Sequence, residues 1–275
     1  MRRLSLAHLT AIDLAPPAFI EAAAEAGFDA VGLRLMRVTP DSPGYPLMEN
    51  AAAMRATRQA LTSCGITVSD IEFIRLTPEF ALEPLLPMLD AGAELGARNL
   101  ICAPYDPDLT RLAETLGALA EATRARGMMT ALEFFPWTNV AGLQVAWEVV
   151  QAAGPHAGLL VDTLHFDRSG SSLELLAQIP PERLPFAHLC DAPVHPPYTD
   201  EQLLETARGE RLIPGGGDID LAAILAALPD DIPLGLEIPV ICEPSALTRA
   251  KRLRALHRAT LALLDSLPHQ GAKAP

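Results

Sequence analysis

The chain has 275 residues, 49% of them apolar, and 21 Lys plus Arg against 34 Asp plus Glu give it a net charge of −13. That length suits one large domain, and a negative surface repels phosphate backbones and anionic membranes, so neither nucleic acid nor membrane is an expected partner. The opening MRRLSLAHLT lacks the apolar stretch of a signal peptide and no run approaches the ~18 apolar residues of a membrane span, so the sequence predicts a cytoplasmic protein acting on a small molecule.

Strand-length apolar runs alternate with longer Ala-, Leu- and Glu-rich segments of helical period, the signature of a parallel sheet covered by helices. The first run, LSLAHL from Leu4, carries His8 near its end as a weak candidate for substrate contact. PPAFIEAAAEAGF follows as a helix stopped by Gly27, and AVGLRLM from Ala30 is a second strand bearing Arg34. The helix in MENAAAMRATRQALTSCG stops at Gly65, ahead of ITVSDIEFI from Ile66, whose Glu72 either reaches the pocket or forms a buried ion pair with Arg34. NLICAPY from Asn99 is the fourth strand, and the helix after it closes at Gly127.

MTALEFF from Met129, GLLVD from Gly158, FAHLC from Phe186 and LGLEI from Leu234 bring the strands to eight. Eight strand–helix repeats in a chain near the ~250 residues typical of the fold predict a single (β/α)8 TIM barrel, an α/β domain over residues 1–268, with a disordered tail at 269–275. The stretch 193–217 is rich in Pro and Gly, with only a short helical segment near Leu203, and reads as a long loop over the active face. Asp191 reads as a cap for that loop, and Asp218 or Asp220 as the cap of the helix in DIDLAAILAAL. The run Gly215 to Gly217 follows no strand and is not a dinucleotide fingerprint. Cys64, Cys102, Cys190 and Cys242 are far apart and read as reduced packing residues, while His156, His257 and His269 look solvated or helical.

Chemistry concentrates in the second half. Glu133 in ALEFFPWT, Asp162 in LLVDTLHF, His188 in FAHLCDAP and Glu237 in LGLEIPV each close an apolar run, where a parallel barrel presents its functional groups. Alternation places Ala131, Glu133 and Phe135 on one face, as it does Phe186, His188 and Cys190, and Gly235, Glu237 and Pro239. Any one such carboxylate could be a helix cap or an ion-pair partner, but four on consecutive strands point to a common site. Three converging carboxylates would repel one another without a cation, whereas a divalent ion satisfies all three and accepts an imidazole as well. A set with one nitrogen and otherwise oxygen favours Mn²⁺, with Mg²⁺ and Co²⁺ as alternatives and Zn²⁺ open. Tyr105, Phe134, Phe135, Trp137, Phe166 and Tyr198 fall at or just beyond strand ends, where they either wall a substrate site, Trp137 and Phe166 foremost, or pad the rim.

The segments LSLAHLT, AGFDAVGLRLM, LEFFPW, VDTLHFDRSG, HLCDAP, ERLIPGGGDID and LGLEIP together resemble the xylose isomerase-like TIM barrels, the sugar phosphate isomerase/epimerase group within the AP endonuclease family 2 superfamily. That group contains ketose 3-epimerases, inosose dehydratases and 3-dehydroshikimate dehydratases, and the resemblance covers nearly the whole chain. It implies that Glu133, Asp162, His188 and Glu237 bind the metal and that His165 and Arg211 contact substrate. Taken alone, His165 could be a solvated loop histidine and Arg211 a surface charge. Two departures stand out: the PGEG common in the group reads PGGG, with Gly216 in place of the carboxylate, and His188 stands where dehydroshikimate dehydratase-like members commonly carry Gln. The resemblance thus implies an isomerase or epimerase of a sugar- or polyol-derived hydroxy-ketone working through an enediolate, with Glu133 and Glu237 as the proton carriers. The alternatives are a lyase or dehydratase of a keto-polyol and a catalytically inactive ligand-binding barrel. Members of the group often pair, so a homodimer or homotetramer is expected.

Overall fold

Strands buried on both faces read as continuous apolar runs, and those runs become the staves of a closed barrel. The structure is a computed structural model that describes residues 2–38, 42–240 and 245–267. The strands β1 (Leu4–Leu6), β2 (Ala30–Arg34), β3 (Thr67–Leu76), β4 (Asn99–Pro104), β5 (Met129–Glu133), β6 (Ala157–Asp162), β7 (Phe186–Leu189) and β8 (Leu234–Leu236) pair in parallel and in chain order. Pairing of Ser5 with Gly235 closes β8 onto β1, and the hydroxyl of Thr10 ties the seam by donating to the Leu236 carbonyl (2.8 Å) and accepting from the Ile238 N–H (3.0 Å).

Around the barrel lie α1 (Pro16–Ala26), α2 (Ala51–Cys64), α3 (Leu86–Glu94), α4 (Leu109–Arg124), α5 (Leu143–Ala152), α6 (Thr163–Arg168), α7 (Leu173–Leu176), α8 (Asp200–Gly209), α9 (Leu221–Ala227) and α10 (Ala246–Ser266). Two apolar layers result. The outer one packs helix faces such as Phe19, Ile20 and Ala23 against outward strand residues such as Val31 and Leu33, and the inner one is a small plug of Ile101, Ala131, Leu160 and Phe186. The plug fills the barrel just below the ends of β4 to β7, and on β5, β6 and β7 the residues two positions beyond its members, Glu133, Asp162 and His188, emerge at the mouth.

The expected glycine stops hold: Gly27, Gly65 and Gly127 have φ of 103°, 66° and 75°, a left-handed conformation that a Cβ would penalise. Asp220 caps α9 through the Ala223 N–H (3.0 Å). Within 193–217 the structure corrects the expectation of a short helical segment, because α8 runs for 10 residues. A reciprocal cap between Thr199 and Gln202 starts it, and Leu203 and Ala207 bury one face at a spacing of one turn. β3 is longer than its apolar run suggested and shifts register against β4 between Ile71 and Ile74, which breaks strict alternation there. The 269–275 tail, His269 and Cys242 lie outside the described residues. Among those described, no helix is long and apolar enough to cross a membrane.

One cation fastens the barrel's underside. Arg183 lies over the Trp147 ring and donates to the carbonyls of Val150 (2.9 Å), Gly154 (2.8 Å) and Ala157 (2.7 Å), so it joins the end of α5 to the start of β6. Replacing it with Met would leave those acceptors to compete for water, and Arg183→Met is expected to cost about 1–3 kcal/mol in urea unfolding without altering ligand binding at the opposite end.

Candidate active site

Register explains how four strands deliver four ligands to one point. Asp162 pairs with His188, and His188 with Gly235, so these three stand side by side across β6, β7 and β8. Glu133 ends β5, and Glu237 follows β8 on the Gly235 face. One ligand atom from each of Glu133, Asp162, His188 and Glu237 lies within 4.8 Å of the others, and all four residues are buried. The alternation read for Glu133, His188 and Glu237 agrees with this convergence, and Asp162 joins them through its pairing with His188.

Glycine at 235 makes room for the imidazole. A Cβ there would come within 2.8 Å of Cδ2 of His188, so this neighbour must lack a side chain for the ring to turn toward the carboxylates. His188 Nδ1 stands 3.7 Å from Oε2 of Glu237 and 4.0 Å from Oδ2 of Asp162, outside hydrogen-bonding range, and among the described residues neither ring nitrogen has a hydrogen-bond partner. Oε1 of Glu133 is likewise buried without a partner. Unpaired polar atoms of both kinds, sharing one buried point, are what a divalent ion would satisfy.

Arg211 is the counter-charge. Its Nη1 donates to Oδ2 of Asp162 (2.5 Å) and to the Glu237 carbonyl (3.3 Å), Nη2 pairs with Oε2 of Glu237 (3.0 Å), and Nε donates to the carbonyl of Ala207 on α8 (3.0 Å). The other oxygen of Asp162 caps α6 by accepting from the N–H groups of Leu164 (2.8 Å) and His165 (3.2 Å). Burial by itself would raise the Asp162 carboxyl, yet the Arg211 guanidinium prevails and holds it at about 2. Glu133 has no such partner: burial first, then the charges of Glu237 and Asp162, push its carboxyl well above the usual range. With Glu133 ionised, three carboxylates against one guanidinium leave two negative charges, which a divalent cation cancels. The residues thus fit the expected ion.

Arg211 is not a surface charge, because Asp191 fixes the segment that carries it. The carboxylate of Asp191 accepts from the N–H groups of Ala192 (2.9 Å), Gly215 (3.0 Å) and Ile219 (3.1 Å), and its backbone pairs with Leu212. His165 is buried as well. Its Nε2 lies 3.7 Å from Oε1 of Glu133, its ring packs edge-on to Phe135 and Trp137, and burial pulls its imidazole down to about 4, so it is neutral at pH 7.

Above the ligands opens a cleft of about 370 Å³. Tyr105, Phe135, Trp137, His165, Arg211, Glu133 and Glu237 line it, as do Phe73, Leu9, Ile12, Val38 and Arg208, which sequence reasoning did not single out. Phe135 and Trp137 stack at 4.9 Å and form the aromatic wall. Four expected contacts are absent from it. Phe166 belongs to the apolar core between barrel and helices, as does Phe134, because each points away from the mouth. His8 is buried between Phe19 and Tyr45, accepts the Arg34 N–H at Nδ1 (2.9 Å), faces the Leu14 carbonyl with Nε2 and is depressed by burial to about 3, so it is a neutral structural residue. Tyr198 instead carries the guanidinium of Arg168 on its ring. Cys190, pushed up to about 12 by burial, is a packing thiol under Arg211.

Gly235→Ala should displace His188 and weaken divalent-ion binding about 10–100-fold in calorimetric titration while all four ligands remain. Because the Glu133 carboxyl is raised, ligation must compete with protonation of this group, so ion affinity should climb with pH, read from titrations at several pH values. In Glu133→Gln that pH dependence should flatten.

The profile of the xylose isomerase-like TIM barrel family matches residues 20–262. Among curated relatives, a 3-dehydroshikimate dehydratase of Pseudomonas putida is 28% identical over 226 residues, covering 77% of this chain and 34% of its own length. An inosose isomerase of Bacillus velezensis is 30% identical over 154 residues, covering 51% of this chain and 52% of its own length. This chain therefore spans between a third and about half the length of the curated relatives it matches. Among solved structures, the IolI protein with a binding zinc atom superposes with a TM-score of 0.78 over 98% of this chain and 100% of that one, at 20% identity, which is a likeness of fold. With a matching profile that spans the barrel and a closed eight-stranded architecture, the chain belongs to the xylose isomerase-like TIM barrel family.

Proposed function

We propose that this protein is a divalent-metal-dependent isomerase or epimerase of a sugar- or polyol-derived hydroxy-ketone. One observation carries the reading: of the four converging ligands, only Glu133 and Glu237 also line the cleft, while Asp162 and His188 do not border it. Two carboxylates, one ending β5 and one just past β8, thus border the cavity, and removal and return of a proton on a single carbon require two such groups. A divalent ion, Mn²⁺ by the donor set with Mg²⁺, Co²⁺ and Zn²⁺ as alternatives, would supply Lewis-acid polarisation of a substrate carbonyl when bound.

The chain's own groups do the rest. Oε1 of Glu133, which has no hydrogen-bond partner among the described residues, takes the proton from the carbon between carbonyl and hydroxyl, and Glu237, protonated from solvent before turnover, returns one to the resulting enediolate, after which solvent exchange resets both carboxyls. His165, neutral and beside Glu133, steadies that carboxyl or donates to a substrate oxygen. Arg211 holds Glu237 in place and offers its remaining Nη2 N–H to a substrate oxygen, and the stacked Phe135 and Trp137 keep water from the enediolate. A lyase shares the first proton abstraction and then expels a β-hydroxyl. The dehydratase relative in Pseudomonas putida, which matches most of this chain, keeps that outcome as the second reading.

Incubating the metal-loaded protein in D2O with a panel of hydroxy-ketones and following it by NMR separates the two. Deuterium entering beside the carbonyl with the skeleton intact is expected, whereas loss of a hydroxyl would install the lyase. Glu133→Gln and Glu237→Gln should each lower kcat about 10³-fold. Solvent exchange that persists in both variants would remove these residues from the reaction.

A further inference from the structure

Most of the buried polar atoms that lack a hydrogen-bond partner among the described residues gather around one cleft: Glu133, His165 and His188 at the ligand set, Trp137 on the aromatic wall, and Arg34 with Glu72 on β2 and β3. Such atoms are rare in folded proteins and cluster where a ligand completes them. The last pair stands apart from the rest. β2 and β3 belong to the half of the barrel that contributes no metal ligand, and Arg34 and Glu72 line the cleft there with residue exposures of only 8% and 1%. Nη2 of Arg34 meets Oε2 of Glu72 at 3.3 Å, which leaves Nε of Arg34 and Oε1 of Glu72 unbonded. The register shift in β3 sets Phe73 beside Glu72 on the same cavity, so the pair is flanked by an apolar ring.

We propose that Arg34 and Glu72 form a second recognition pole, which reads a substrate hydroxyl remote from the ligand set and thereby selects uncharged polyhydroxy ketones over carboxylated or phosphorylated ones. This rests on the reading of the cleft as a hydroxy-ketone site. The argument is one of matching. A hydroxyl both accepts and donates, so it can take the free N–H of Arg34 while giving its proton to the free oxygen of Glu72. A carboxylate or phosphate oxygen could accept from Arg34 but has nothing to donate, and it would lie beside the Glu72 carboxyl while competing for a guanidinium already shared. The exposed Arg208, which also lines the cleft, is the cation an anionic substrate would use instead.

The test uses the full chain loaded with Mg²⁺, in a Trp147→Phe background so that fluorescence reports Trp137 in the cleft. The probes are an uncharged ring ketone bearing hydroxyls (2-keto-myo-inositol), its analogue lacking the hydroxyl opposite the carbonyl, and a ring ketone bearing a carboxylate (3-dehydroshikimate). The uncharged probe should bind at least ten times more tightly than the carboxylate. Glu72→Gln should weaken it about tenfold and tighten the carboxylate, with metal content and melting temperature kept, and the deoxy analogue should bind both proteins equally. Arg34→Gln tests the pole from the donor side and should also weaken the uncharged probe selectively. A carboxylate preferred by the unsubstituted protein and lost in Arg208→Gln, an unchanged preference in Glu72→Gln, or no response of Trp137 to any probe would each overturn the proposal. Binding as expected but without solvent exchange in D2O would instead sink the isomerase reading and leave the pole standing.

Discussion

Three carboxylates and an imidazole held within 4.8 Å of one another, out of water, form an arrangement that cannot be left to itself, and much of the structure around the barrel mouth serves to make it tolerable. Each carboxylate is handled differently. Asp162 spends one oxygen on the start of α6 and the other on Arg211, so it stays ionised at any ordinary pH. Glu237 shares the same guanidinium. Glu133 receives no hydrogen bond at Oε1 among the described residues, and burial first, then the charges of Glu237 and Asp162, raise its affinity for protons. That inequality is useful, because a group that holds a proton well is also one that can remove it from carbon.

Arg211 is thus the hinge between fold and chemistry, and its position is bought by backbone far from the ligands. Its Nε rests on the end of α8, its neighbour Leu212 pairs with Asp191, and Asp191 gathers the N–H groups of Gly215 and Ile219 on either side of the glycine turn together with that of its own neighbour Ala192. Gly217 belongs to this arrangement, since a Cβ there would lie 2.5 Å from both the Ala192 carbonyl and Oδ1 of Asp191. The Gly-rich turn therefore keeps the backbone close to an aspartate that in turn aims an arginine, and it is not a phosphate cradle. Gly235 plays the matching part for His188. Two of the barrel's least conspicuous residues set the geometry of its most conspicuous ones.

The candidate metal set was legible because period two is rigid: once Ala131, Phe186 and Gly235 were assigned to the interior, Glu133, His188 and Glu237 had to follow. The eight strands were legible for the same reason. What stayed hidden depends on departures from regularity. Phe73 faces the cleft beside Glu72 only because β3 shifts register, and no propensity marks that shift. Phe166 was misplaced because a short helix begins at Thr163 and turns it toward the core, where a loop would have left it at the rim. Arg34 and Glu72 were open between pocket and ion pair, and the structure makes them both at once.

Asp70 shows the same limit from another side. It sits inside the barrel on β3, opposite Gly32, where a Cβ would come within 2.5 Å of its Oδ1, and that oxygen has no hydrogen-bond partner. Burial first, and then the charge of Glu72, lift its carboxyl to about 7. A fourth and fifth acid near the ligand set would ordinarily deepen its negative charge. Here Asp70 can hold a proton near neutrality and Glu72 is matched by Arg34, so the β2–β3 half of the mouth stays close to electrically neutral while the β5–β8 half keeps the excess that a cation must answer. The mouth is thus divided by charge: one half has the donor set and the excess negative charge that suit a cation, and in the proposed function the other half discriminates among substrates by hydrogen bonding without competing for that cation.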